Sequence, residues 1–157
     1  MQYSYEALRE QIIKSHQLII IPHQHPDGDA MGSATALFGY LTGLGKNATI
    51  YCATPANQKW QFLTHSDKLN TDPRIFSNPK IDTILVLDSG DLRYAGVEPL
   101  VKNHPAFVIN IDHHATNEYF GTLNIVDPEA PSTTNILFHL LEALRTQFTT
   151  TRAPSLL

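Results

Sequence analysis

The sequence predicts an α/β protein built on a doubly wound, mainly parallel sheet with helices on both faces. Short apolar runs rich in β-branched residues recur at 18–21 (LIII), 84–87 (ILVL) and 107–111 (FVINI), the pattern of parallel strands buried on both sides. Segments with helical spacing alternate with them, as in βαβ units. Each run also leads into carboxylates or imidazoles: His23, Asp27 and Asp29 within HQHPDGDA (23–30), Asp88 after the second, and Asp112, His113 and His114 after the third. Parallel strands align their C-terminal ends along one sheet edge, where open α/β sheets bind ligands.

In chain order, residues 4–16 read as an amphipathic helix with Tyr5, Leu8, Ile12 and Ile13 on one side. The first strand follows and ends at Pro22. Met31, Ala34, Leu37, Phe38, Leu41 and Leu44 then recur at helical spacing, with Gly43 and Gly45 as a stop. This helix begins directly after the Asp-Gly-Asp, so its positive end faces the acidic cluster. Residues 47–53 read as a strand, 57–63 as a short helix and 64–80 as loop. Residues 83–87 read as a strand, 91–102 as a weak helix and 106–111 as another strand. A further strand is expected at 123–126, and Ser132 or Thr133 then caps a helix through about Leu144. Thr149, Thr150 and Thr151 resemble a helix start whose apolar face would be Ala153, Leu156 and Leu157.

Composition fits one catalytic domain over residues 1–157: 42% of residues are hydrophobic, enough for a sizeable core. No apolar run approaches the roughly 20 residues of a membrane helix, so no membrane partner is expected. The N-terminal stretch carries Glu6 and Glu10 and no secretory-type apolar segment. Cys52 stands alone, which excludes an internal disulfide and fits a cytoplasmic setting. A net charge of −4 is unexpected for a phosphate-handling protein, yet setting aside Asp27, Asp29, Asp88 and Asp112 brings the 15 acids level with the 11 lysines and arginines. The acidity can therefore be a cation site. Without a basic stripe, long duplex nucleic acid is not an expected partner, and a short piece is the better fit.

Imidazole and carboxylate donors suit Mn²⁺, Mg²⁺ or Zn²⁺. A lone carboxylate at a strand end, such as Asp88, can bridge two cations, one per oxygen. Two such ions lower the pKa of a shared water and clamp an in-line displacement at phosphorus, which points to hydrolysis of a phosphoester or phosphoanhydride. Taken singly, an Asp-x-Asp is more often a cap or turn, and Asp88 or Ser89 more often a helix cap. Their coincidence at the ends of separate buried strands favours the metal reading. His16, His65, His104 and His139 lack acidic or histidine neighbours at ligand spacing, and His25 is a spare beside His23. Arg93 and Tyr94 touch a phosphate or base, or belong to a solvated loop. Ser132 and Thr133 are caps before they are anion ligands.

These stretches, HQHPDGDA, the LDSGD around Asp88, and IDHHATNEYFG at 111–121, resemble the DHH phosphoesterase superfamily across essentially the whole chain. The run NIVDPEAPSTT at 124–134 further resembles the branch that degrades short RNA and dephosphorylates 3′-phosphoadenosine 5′-phosphate. The resemblance implies one Mn²⁺ on His23, Asp27 and Asp88 and a second on Asp29, Asp88 and His113, with Mg²⁺ an alternative. Asp112 would orient the histidine pair, His114 would face the scissile phosphate, and the nucleophile would be a metal-bridging hydroxide. Short RNA or a small nucleotide is the implied substrate, and a homodimer is open for the full-length protein. Single-strand exonuclease, cyclic dinucleotide phosphodiesterase and inorganic pyrophosphatase activities remain alternatives, as does an inactive fragment or nucleotide-binding module. The resemblance also implies a further Asp from a later strand and a C-terminal substrate domain. The expectation is thus a truncated domain, with a weakened second metal site and low or no activity.

Overall fold

In the computed structural model, which describes residues 2–150, six strands form one sheet in which every pairing is parallel. The chain runs α1 (Gln2–Lys14), β1 (Gln17–Pro22), α2 (Gly28–Gly43), β2 (Asn47–Tyr51), β3 (Leu69–Asn70), β4 (Thr83–Leu87), α3 (Glu98–Val101), β5 (Phe107–Asp112), β6 (Leu123–Val126) and α4 (Thr133–Thr150). The strand order is β3-β2-β1-β4-β5-β6. The chain builds outward from β1 in one direction, then returns to β4 and builds outward in the other. The switch point therefore lies between β1 and β4, and the crevice at their C-terminal ends is the site such folds use for ligands. Pro22 pairs with Leu87 in the register, so the residues after both strands emerge side by side.

Burial explains why the strand runs are apolar without alternation. Leu18, Ile20, Leu85, Leu87, Ile109 and Ile111 point into a core closed by Leu8 and Ile12 of α1, Ala34, Leu37 and Leu41 of α2, and Ile136, Leu137, Leu140 and Leu144 of α4. Ile19, Ile21, Ile84 and Val86 point the other way, against Tyr51, Phe76, Ala95, Val97 and Val101. At about 1.5–3 kcal/mol for each fully buried large aliphatic side chain, these two layers dominate the favourable side of folding. The second face is covered by α3 and by short 3₁₀ segments rather than by long helices.

Several elements differ from their sequence readings. Residues 57–63 hold only a 3₁₀ turn, Gln58–Trp60, whose start is fixed by the Asn57 side chain accepting from Lys59 N–H. The expected loop at 64–80 carries two more 3₁₀ turns, Ser66–Lys68 and Pro73–Ser77, and the edge strand β3. Over 91–102 only Glu98–Val101 is α-helical. The Asp91 carboxylate captures Arg93 N–H and Tyr94 N–H, and Gly96 adopts φ +72°, so side-chain bonding and a left-handed turn replace the first helical turns. Helix α4 runs past Leu144 and takes in Thr149 and Thr150 instead of ending before a new helix. No glycine or proline intervenes before Pro154 to stop it. Ala153, Leu156 and Leu157 lie outside the described residues. Among the described residues, no helix is long and apolar enough to cross a membrane.

Candidate metal centre

The seven sequence-predicted site residues lie at the C-terminal edge of β1, β4 and β5 or in the turns that follow, except Asp29, which lies in the first turn of α2. Asp27 caps α2: its Oδ1 accepts from Asp29 N–H at 2.9 Å and Ala30 N–H at 3.0 Å, the usual work of an N-cap aspartate. Asp29, two residues further on in the first turn of α2, reaches across to the start of α4. Its Oδ2 accepts from Thr133 N–H and its Oδ1 from Thr134 N–H, both at 2.8 Å, with the Thr134 hydroxyl also on Oδ1. The carboxylate thus satisfies amides that the helix itself leaves free and lies at the positive end of its dipole. Ser132 Oγ completes that end by accepting from Asn135 N–H.

Asp88 is the centre of the arrangement. It is 2% exposed and adopts φ +57°, a left-handed conformation that aspartate, with glycine and asparagine, tolerates better than most residues. Its N–H is tied to Ile111 C=O of β5 at 3.0 Å. Oδ2 points toward His23 Nε2 at 3.7 Å. Oδ1 points toward His113 Nε2 at 3.7 Å and accepts from Thr133 Oγ1–H at 2.9 Å. Burial first, and the nearby Asp29 charge second, push its carboxyl up to about 6, despite the opposing pull of Thr133 and His23. A buried carboxylate displaced in this way is short of positive charge.

The imidazoles are oriented by their far nitrogens. His23 Nδ1 bonds Gln24 C=O at 2.8 Å, so the Nε2 lone pair turns into the space it shares with Asp27 Oδ1, 3.8 Å away, and Asp88 Oδ2. The Tyr94 ring, half exposed, packs on the His23 ring with centroids 4.9 Å apart. His113 Nδ1 faces Ala130 C=O at 3.3 Å, leaving Nε2 between Asp29 Oδ2 at 3.8 Å and Asp88 Oδ1. These donor separations are too long for hydrogen bonds. They lie just beyond the edges of a coordination shell, where donors each about 2.1 Å from one ion stand roughly 3.0–3.6 Å apart, so a small inward shift would close them on a cation. Two donor triples, His23–Asp27–Asp88 and Asp88–His113–His114, fall within 4.8 Å and could hold a cation.

His114 belongs to a second network. Its Nδ1 is 2.7 Å from Asp112 Oδ1, and Asp112 is fully buried. The other oxygen, Oδ2, accepts from Asn117 Nδ2–H at 2.6 Å, and the same amide donates to Asn110 Oδ1 at 2.8 Å. Burial opposes the charged imidazole of His114, but the Asp112 bond and the Asp112, Asp88 and Asp29 charges outweigh it, so its pKa is raised.

Sequence reasoning did not single out Asn110, Asn117 or Thr134, and it read Thr133 as a cap rather than a partner of Asp88. One signal was there: Asn110 interrupts an otherwise apolar strand, and a polar residue fully buried in a strand must be bonded. His25 is exposed, adopts φ +54° and donates its N–H to Thr54. Cys52 lies buried near His23 C=O at 3.5 Å, and burial pushes its thiol pKa up.

A profile of the DHH family, N-terminal domain, matches residues 17–156. The chain is 37% identical over 133 residues to the "Bifunctional oligoribonuclease and PAP phosphatase NrnA" of Thermus thermophilus, a match covering 84% of this chain and 38% of that protein. It is 25% identical over 126 residues to the "Probable bifunctional oligoribonuclease and PAP phosphatase NrnA" of Streptococcus mutans, covering 80% of this chain and again 38% of the relative. An exopolyphosphatase-related protein from Bacteroides fragilis superposes with a TM-score of 0.85 at 25% identity, over 92% of this chain and 44% of that one. The chain thus spans well under half the length of these relatives, and within that span it belongs to the DHH family, as its N-terminal domain.

Proposed function

We propose that this domain carries the two-cation centre of a phosphoester hydrolase acting on short oligoribonucleotides or a small nucleotide such as 3′-phosphoadenosine 5′-phosphate, with Mn²⁺ as the metal. The observation that carries the reading is Asp88, a buried carboxylate with one oxygen turned to His23 and the other to His113. His23, Asp27 and Asp88 would hold one cation, and Asp29, His113 and Asp88 the other. His114 is a poorer ligand than Asp29, because its Nδ1 is engaged by Asp112. Asp29 Oδ2 accepts only the Thr133 N–H and keeps a lone pair for a cation.

Bound divalent cations supply activated water and neutralise the phosphoryl oxygens. The residues of the chain do the rest. With Nδ1–H given to Asp112, His114 turns Nε2 outward, and in the charged form it donates Nε2–H to a phosphoryl oxygen as negative charge grows there. Asp112 fixes that orientation and is itself fixed by Asn117. Thr133 Oγ1–H, given to Oδ1, holds the plane of the Asp88 carboxylate so that one oxygen faces His23 and the other His113. The relatives' names support the substrate class, and the lone buried Cys52 fits a cytoplasmic setting.

The test is Mn²⁺-dependent cleavage of 5′-phosphorylated diadenylate and of 3′-phosphoadenosine 5′-phosphate. Release of AMP that a chelator stops, and that His114→Ala slows by about 10²-fold or more, is expected. Absence of metal-dependent release from both substrates would overturn the reading.

A further inference from the structure

Beside the metal centre lies a pocket that the mechanism does not use. It has a volume of about 440 Å³ and is lined in part by Pro55, Ala56, Trp60, Gln61, Leu69 and Thr71. It opens past the C-terminal ends of β2 and β3, on the same sheet edge as Asp27 and Asp88. We infer that this pocket is a nucleobase subsite, with the Trp60 indole as its stacking wall, placing the base of a nucleotide whose phosphate lies at the metal centre. The inference rests on the phosphoester reading for the identity of the ligand.

The indole is locked to the metal-bearing turn. Trp60 Nε1–H donates to Pro26 C=O at 3.1 Å. A Cβ on Gly28 would stand 2.9 Å from the indole Cη2, so the ring comes this close only because residue 28 is glycine. Pro26 and Gly28 flank Asp27, so a base on Trp60 is held in register with the cations. Lys59 Nζ lies over the indole ring, 4.5 Å from its centroid, a cation on a π face that a planar base could take in its place. Phe62, 77% exposed, extends the aromatic surface with its ring 6.4 Å from that of Trp60. The polar lining from Gln61 and Thr71 offers hydrogen bonds to a base edge. The volume suits a nucleoside rather than an oligonucleotide.

Trp60 is the single tryptophan of the chain, so its fluorescence reads the pocket directly. With Mg²⁺ present, AMP should quench it saturably, whereas ribose 5-phosphate, with the same phosphate and no base, should not. By calorimetry, Trp60→Ala should bind AMP about tenfold more weakly, and Trp60→Phe, which keeps an aromatic face, should stay within roughly threefold. Ala56→Phe, which fills the pocket without touching the indole's hydrogen bond, should abolish the AMP-specific quenching. Equal responses to AMP and ribose 5-phosphate, or full AMP affinity in Trp60→Ala and Ala56→Phe, would overturn the subsite even if Mn²⁺-dependent cleavage is intact. AMP-specific quenching in a chain that cleaves nothing would support the subsite and overturn the hydrolase reading alone.

Discussion

Replacing Asp88 by asparagine should make the metal-free protein more stable and the metal-loaded protein less so. Asp88 is almost fully buried, and its carboxyl is raised from 3.8 to about 6. Because the folded-state value exceeds the unfolded one, the folded state binds this proton more tightly. The contribution to stability is therefore fully present below about pH 4 and lost as pH rises through about 6. At 1.36 kcal/mol for each pKa unit, the shift corresponds to about 3 kcal/mol. Asp29, whose charge is the second cause, shares part of it. Asparagine removes the charge while keeping an Oδ1 for the Thr133 hydroxyl, and it is among the residues that best tolerate the φ of +57°. Metal-free Asp88→Asn should therefore gain about 1–3 kcal/mol at pH 8, roughly 3–10 °C in Tm, and nothing at pH 4. Asp88→Ala should gain less, because alanine in a left-handed conformation costs about 1–2 kcal/mol. Wild type should recover about 3 kcal/mol per site at Mn²⁺ a hundredfold above its Kd, and the variant none, so the stability order inverts on adding metal. Differential scanning calorimetry with chelator and with Mn²⁺ reads both arms. A variant less stable than wild type in chelator at pH 8, or one that gains as much from Mn²⁺, would refute the reasoning.

Asn117→Leu should cost about 2–4 kcal/mol in urea denaturation, since it leaves buried Asp112 Oδ2 and Asn110 Oδ1 without a donor. Asp112→Asn should lower kcat with little change in Mn²⁺ affinity, because Asp112 holds His114 rather than a cation; isothermal titration beside kinetics separates the two. The raised pKa of His114 means that its charged form persists above the ordinary histidine range, so kcat should fall as pH climbs past that range, and His114→Gln should flatten that limb. Gly28→Ala should force the indole aside, giving a shifted Trp60 emission maximum and a loss of about 1–2 kcal/mol by thermal melting.

The strands and the convergence of the site were legible because they rest on local signals. LIII, ILVL and FVINID can only be buried on both faces, and a carboxylate or imidazole directly after such a run has one place to go. The strand order adds what pattern alone does not hold: β1 beside β4 brings His23 against Asp88. Contacts between residues distant in sequence were not legible. Thr133 meets Asp88, and Asp29 meets the start of α4, only after α4 packs on α2. The Asn117–Asp112–Asn110 network closes in the same way. Segment 57–71, with Trp60, reads as a short helix and loop but forms 3₁₀ turns and an edge strand, so its pocket is a product of turn chemistry and of Gly28 that no local pattern announces. The helix expected from residue 91 failed because Asp91 offers the backbone a better local acceptor than the next helical carbonyl.

The most direct test of the central claim, that Asp88 serves two cations at once, is a calorimetric Mn²⁺ titration of the 157-residue chain beside Asp88→Asn. The account predicts two binding events in wild type, the second weaker, and the loss of both in the variant. A single event in wild type, or one full-affinity site surviving in Asp88→Asn, would contradict it.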